Sequence, residues 1–263
     1  MEKIIYNKYD KHSIADLPRA NFPGRIITIN TPGETKKAVD YLLSSDIIGV
    51  DTETRPSFTR GQNHKVALLQ ASNRTTCMLF RLNLTDITPD IIRLLEDTTV
   101  PKVGLSWHDD LLSLHRRAKF TPGWFIDIQT LAPSIGIEDK SLQKLYANLF
   151  HQKISKSQRL TNWEADVLKD PQKLYAATDA WACIMLYEEI QRLARTGEYE
   201  LVTVPEEQKA ETGKKKESTK AEETTPTAEE KAKKKVRKTR RRSKTPHATQ
   251  GKQTEKDEGT EEK

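Results

Sequence analysis

Ile47-Ile48-Gly49-Val50-Asp51-Thr52-Glu53 is the stretch that decides the architecture. Its first four residues are apolar or glycine, the near-continuous pattern of a strand buried on both faces in the middle of a sheet. Side chains alternate along a strand, so Asp51 and Glu53 project two carboxylates to one side as the strand leaves the core. The carboxyl ends of strands are where α/β sheets usually bind ligands. Taken alone, D-x-E is short and common, and it also describes a strand running out into a polar turn.

Outward from this strand, the chain reads as interspersed β and α units. Arg25–Asn30 is β-branched and predicts a strand. Thr31-Pro32-Gly33-Glu34 predicts a capping box with proline in the first turn, opening a helix to about Ser45. Val66–Ala71 and Thr76–Leu82 predict two antiparallel neighbours, Pro89–Glu96 a helix and Lys102–Trp107 a short strand. A helix opened by Asp109 or Asp110 should end near Arg117. Leu142, Leu145, Tyr146 and Leu149 recur at i, i+3, i+4, i+7, the spacing of an amphipathic helix. Pro171 should start a long helix reaching about Leu193. Strands early and helices late predict an α/β fold, a mixed sheet flanked by helices.

Two further segments carry acids. Val103-Gly104-Leu105-Ser106-Trp107-His108-Asp109-Asp110-Leu111 ends a strand and begins a helix, where an aspartate often serves only as an N-cap worth about 1 kcal/mol. Tyr175-Ala176-Ala177-Thr178-Asp179 lies inside the long helix, where the i, i+4 spacing puts phenol and carboxylate on one face. The two alanines leave room for another element to approach. A buried aspartate needs a cation beside it, either a local Lys or Arg or a metal ion. Together the three segments supply carboxylates and a tyrosine sufficient for hard cations such as Mg²⁺ or Mn²⁺. His108-Asp109 also suggests a His-Asp phosphohydrolase site, but that chemistry needs further His and Asp residues on several helices.

Composition divides the 263 residues unevenly. All 17 aromatics lie at or before Tyr199. Residues 203–263 hold seven apolar residues, all Ala or Val, with 18 Lys+Arg against 13 Asp+Glu, so most of the net charge of +6 sits there. Such a segment buries too little apolar surface to offset its ordering entropy. The expected domains are an N-terminal arm (1–24), a folded domain (25–200) and a disordered Lys/Arg/Glu-rich tail (201–263). Within the tail, residues 231–244 carry ten basic residues and no acid, a run that binds phosphate backbones without reading sequence. A nuclear-localisation signal and a solubilising extension are the other readings of that run. No apolar stretch is long enough to span a membrane, and the first residues lack the apolar core of a secretory signal, so export is not expected. Cys77 and Cys183 lack metal or disulfide spacing and fit buried thiols. A cytoplasmic protein is expected, nucleoid-associated in a bacterial host or nuclear in a eukaryotic one.

The three acidic segments resemble the motifs of the DEDD 3′–5′ exonucleases of the DnaQ-like superfamily, in the tyrosine subgroup. The chain is similar to the Werner-syndrome-type exonuclease domain and to ribonuclease D. Asp51 and Glu53 match the first motif, Asp110 the second and Tyr175 with Asp179 the third. Ser157-Gln158-Arg159-Leu160-Thr161-Asn162-Trp163 and Gln172–Ala180 also fit, and the likeness covers about residues 25–195. It implies a ribonuclease H-like sheet and hydrolysis of DNA or RNA from the 3′ end, releasing nucleoside 5′-monophosphates. It also implies two divalent cations, Asp51, Glu53 and Asp179 holding the first and Asp51 and Asp110 contributing to the second. Tyr175 would orient the attacking water. Asp110 is preferred to Asp109 because the family aspartate lies six positions after the strand glycine, Gly104, and precedes an apolar residue, Leu111. Lys153, Lys156 and Arg159 would meet phosphates or form a solvated loop. Phe58, between Arg55 and Arg60, would stack on a base or pack into the core.

Overall fold

A computed structural model describes residues 2–205. The basic run 231–244, with the rest of the tail beyond residue 205, lies outside the described residues.

The elements run β1 (Lys3–Tyr6), β2 (Arg25–Ile29), α1 (Pro32–Leu43), β3 (Ile48–Thr54), β4 (Val66–Ser72), β5 (Thr76–Phe80), α2 (Leu82–Thr85), α3 (Pro89–Glu96), β6 (Lys102–Gly104), α4 (Trp107–His115), β7 (Phe125–Asp127), α5 (Ile128–Leu131), α6 (Leu142–Phe150), α7 (Asp170–Thr196) and β8 (Tyr199–Val202). Six strands form one mixed sheet in the order β2-β5-β4-β3-β6-β7. β4 runs antiparallel to both β3 and β5, whereas β3, β6 and β7 are mutually parallel. The D-x-E strand is therefore central, and both of its faces are covered.

The two faces are built from alternating residues of the same strand. Ile48 and Val50 turn into a core with Val39, Leu42, Leu94 and Trp107 from α1, α3 and α4. Gly49 turns the other way, toward α7. A Cβ on Gly49 would lie 2.0 Å from the Ala180 carbonyl oxygen, so only glycine lets the helix backbone come this close. Ala176, Ala177 and Ala180 are fully buried on that seam. α7 ends where Gly197, at φ +67°, donates its N–H to the Leu193 carbonyl at 2.9 Å, a left-handed cap that glycine adopts without strain.

Several boundaries differ from the sequence expectation, each for a tertiary reason. The strand expected to reach Trp107 stops at Gly104, because Ser106 takes a left-handed conformation (φ 63°) and Trp107 opens α4. Neither Asp109 nor Asp110 caps that helix. Asp127 on β7 does, accepting the Ser106 and Trp107 N–H groups at 3.0 Å each. The strand expected through Leu82 stops at Phe80, and Leu82 begins the short α2. The N-terminal residues contain a strand: β1 pairs in parallel with β8 from Lys3↔Tyr199 to Tyr6↔Val202, and Ile5 is fully buried. Residues 201 and 202, placed in the tail from sequence, belong to that ladder. Among the described residues no helix is long and apolar enough to cross a membrane. Cys77 and Cys183 are free and buried.

Candidate active site

Asp51 and Glu53 share the α7 face of β3, as alternation requires. The close seam at Gly49 brings α7 down beside them and delivers Asp179, the residue before Ala180. One carboxylate oxygen from each of Asp51, Glu53 and Asp179 lies within 4.8 Å of the others. Glu53 and Asp179 are buried, at 8% and 6% exposure, and Asp51 is partly open. Three acids gathered out of water repel one another. Burial is the largest influence on each, and it holds all three well above the usual carboxylate range. The Asp179 charge pushes Asp51 and Glu53 further up.

Asp110 stands beside this triad, outside it. It reaches the strand end from the opposite face of the sheet, on the first turns of α4. There Thr52, between the two motif acids, donates its hydroxyl to the Asp110 carboxylate. Burial raises Asp110 to about 6, opposed by that hydrogen bond and reinforced by the charges of Asp109 and Asp127. Asp110 in turn pushes Asp51 and Glu53 upward. Asp109 is exposed.

Tyr175 lies one turn before Asp179, buried against Trp163 with ring centroids 6.0 Å apart. Burial, then the charges of Asp179, Glu53 and Asp51, hold its phenol protonated far above the ordinary range. The hydroxyl is thus a donor beside the acids.

Two of the polar side chains beside the cluster carry buried atoms without partners. Asp179 Oδ1 is buried with no hydrogen-bond partner. Gln70, directly across the β3–β4 ladder from Asp51, is fully buried and neither amide atom is bonded. A buried group left unpaired costs about 1–3 kcal/mol. Orphaned oxygens beside clustered carboxylates are what an oxygen-preferring cation would satisfy, so the donor set fits a divalent metal.

Basic groups stand at the rim. Lys156 draws Asp179 downward and Arg159 does the same to Glu53, and both are exposed. Lys153 is used differently, since its ammonium donates to the Ala15 carbonyl. Phe58 is 84% exposed, not packed into the core. Arg55 pairs with Glu164 at 3.3 Å, and His64 meets the same carboxylate at 3.1 Å, tying the loop after β3 to the loop before α7. Thr52, Gln70 and Asp127 belong to the site although no motif in the sequence points to them. Thr52 alone had a local signal, because alternation places it on the face away from Asp51 and Glu53.

Fold and site together define a nuclease-type α/β domain with a carboxylate cluster at the end of a central strand. A family model described as 3′–5′ exonuclease matches residues 26–195, and the chain belongs to this family. It is 31% identical over 194 residues to an Arabidopsis thaliana protein named 3′-5′ exonuclease, an alignment covering 68% of this chain and 67% of that one. It is 28% identical over 193 residues to the bifunctional 3′-5′ exonuclease/ATP-dependent helicase WRN of Mus musculus, covering 70% of this chain and 14% of that much longer protein. The fold is similar to that of Escherichia coli RNase D, with a TM-score of 0.57 at 21% identity over 68% of this chain and 52% of that one.

Proposed function

We propose that this protein is a tyrosine-type DEDD exonuclease that hydrolyses phosphodiester bonds from the 3′ end of DNA or RNA and releases nucleoside 5′-monophosphates. The observation that carries the reading is the convergence of Asp51, Glu53 and Asp179 within 4.8 Å, with one Asp179 oxygen buried and unpartnered. These three residues would hold one divalent cation, Mg²⁺ or Mn²⁺, and Asp51 with Asp110 would contribute to a second. When bound, such cations supply Lewis-acid stabilisation of the attacking and leaving oxygens of a phosphodiester displacement.

The chain's own residues do the rest. The protonated Tyr175 hydroxyl, beside the Asp179 carboxylate, holds the attacking water by a hydrogen bond. Thr52 fixes the Asp110 carboxylate, so that its orientation does not depend on a flexible side chain. Lys156 and Arg159 offset the acids' charge at the rim, where the polyanionic strand must enter.

A nuclease assay on matched 3′-end DNA and RNA strands, with Mg²⁺ or Mn²⁺ and a chelator control, tests this. Wild type should shorten strands from the 3′ end only with the cation present, and Asp51→Asn should fold normally and fail to do so. Cleavage that survives Asp51→Asn at the wild-type rate refutes the mechanism.

A further inference from the structure

Residues 18–22, ahead of β2, cross the third motif as a strap. Lys153 donates its backbone N–H to the Pro18 carbonyl at 2.8 Å, and Ala20 donates to the Lys153 carbonyl at 3.0 Å. Two residues on, the Phe22 N–H donates to the Thr178 hydroxyl at 3.0 Å, on the residue next to Asp179. The Phe22 ring packs against Trp181, with centroids 6.1 Å apart. Backbone bonds and a buried aromatic thus anchor the strap to both the loop before α7 and α7 itself. Between those anchors, the side chains of Arg19 and Asn21 stay exposed.

They are not idle surface. Arg19 and Asn21 line a pocket with Ser155, Ser157 and Tyr175. The pocket is about 100 Å³, well below the roughly 300–1,000 Å³ of sites that enclose whole small molecules. That size suits a phosphodiester group better than a whole nucleotide. Its polar lining is a guanidinium, an amide and hydroxyls, a donor-rich set suited to phosphate oxygens. No hydrogen bond or ion pair among the described residues engages the Arg19 guanidinium. Because Tyr175 is shared, whatever sits in the pocket lies next to the reacting end of the strand.

We propose that the strap is part of the substrate site, with Arg19 and Asn21 seating a backbone phosphate of the strand upstream of the scissile bond. The inference rests on the exonuclease reading for what the strand undergoes, and it adds a binding position that the acidic motifs do not contain. Arg19 is a gripping residue, and it acts on how the strand is held.

The test uses the full chain with 5′-labelled single strands of about 3 and about 12 nucleotides, in DNA and RNA. Arg19→Ala should raise KM for the longer strand about three- to fivefold, the scale of an exposed ion pair, with kcat changed less than about twofold. The slope of log KM against log salt should flatten by about 0.7, one phosphate contact on a single strand. Arg19→Lys should keep the wild-type slope. Arg195→Ala removes the same charge near the far end of α7 and should leave KM and slope alone. An unchanged KM and slope in Arg19→Ala, or an equal change in Arg195→Ala, overturns the proposal. If wild type cleaves nothing with either cation, the exonuclease reading fails by itself. Anisotropy titrations of the same strands across salt then judge the strap: a flatter slope for Arg19→Ala upholds it and an identical slope rejects it.

Discussion

Replacing Asp110 by Asn in cation-free protein should make the fold more stable while removing its activity. Asp110 is raised from 3.8 to about 6, chiefly by burial. A group whose folded pKa lies above its unfolded value holds its proton more tightly in the fold. Its contribution to stability is fully present below the unfolded pKa and is lost as pH rises from about 4 through about 6. A tenfold change in proton affinity is worth about 1.4 kcal/mol, and the fold raises that affinity by about two such factors, so ionisation near neutrality costs about 3 kcal/mol in full. Asp110 is partly open to water, so about half of that, ~1.5 kcal/mol, is expected to be recovered. Asparagine keeps an oxygen to accept the Thr52 hydroxyl, so the substitution removes charge without orphaning the donor. For a domain of this size the gain corresponds to a Tm higher by about 3–6 °C. Thermal unfolding at about pH 7.5 in chelator reads it, and the gain should shrink steadily as pH is lowered toward about 4. Mg²⁺ or Mn²⁺ should narrow the gap at about pH 7.5, because the cation favours the ionised wild type. Asp109→Asn, at an exposed neighbour, should leave Tm and turnover near wild type. A gain that persists at about pH 4, or none at about pH 7.5, refutes the electrostatic account. Equal loss of turnover in the two variants refutes the choice of Asp110.

Tyr175→Phe should lower kcat about 10²-fold, the scale of losing a positioned donor or proton-transfer group, while the Tm rise on adding Mn²⁺ survives; loss of that rise would make Tyr175 a structural support of the cation site. Gly49→Ala forces a methyl to within 2.0 Å of the Ala180 carbonyl and should cost about 3 kcal/mol or more, read as a Tm drop of several degrees with activity lost. A wild-type melt would show that α7 does not depend on that seam. Truncation after residue 205 should weaken strand binding and flatten its salt dependence with kcat unchanged, and an unchanged salt slope would reject a binding role for the basic run 231–244.

What the sequence disclosed was whatever short-range pattern could carry. The apolar run into Asp51, the proline-led helix Pro89–Glu96 and the capping box at Thr31–Glu34 were all legible, and the structure has them. Alternation put Asp51 and Glu53 on one side of β3, and the helical repeat put Tyr175 with Asp179. Local pattern could not show how elements meet. The cap of α4 comes from Asp127, about 20 residues downstream, so the strand before it looked longer than it is. Lys3–Tyr6 becomes a strand only by pairing with Tyr199–Val202 near the other end of the folded part, a partner that no window could propose. The strap at 18–22 is polar and irregular, and its order comes from Lys153 and Thr178. Gly49 was readable as a residue of an apolar run, but its purpose appears only against Ala180.

The arrangement resolves a conflict that net charge alone presents. A positive total charge suggests a partner of opposite sign, yet the domain opens on buried acids that repel both one another and any phosphate. Structure offers two remedies of different reach. At the cluster itself, the unpartnered Asp179 oxygen and the crowding of Asp51 and Glu53 make the metal-free state costly. Cation binding and substrate tolerance are therefore the same event. A site kept strained in this way exchanges stability for readiness to bind. At the rim, the charges of Lys156 and Arg159 act on Asp179 and Glu53 themselves, whereas the proposed role of Arg19 is a phosphate contact alone, which salt can screen. The two remedies predict separable behaviour. Changes at the cluster should alter kcat and cation dependence, whereas a change at Arg19 should alter KM and salt dependence, with Lys156 and Arg159 variants affecting both. An Arg19 variant that shifted the cation requirement, with KM unmoved, would show that the two are not independent.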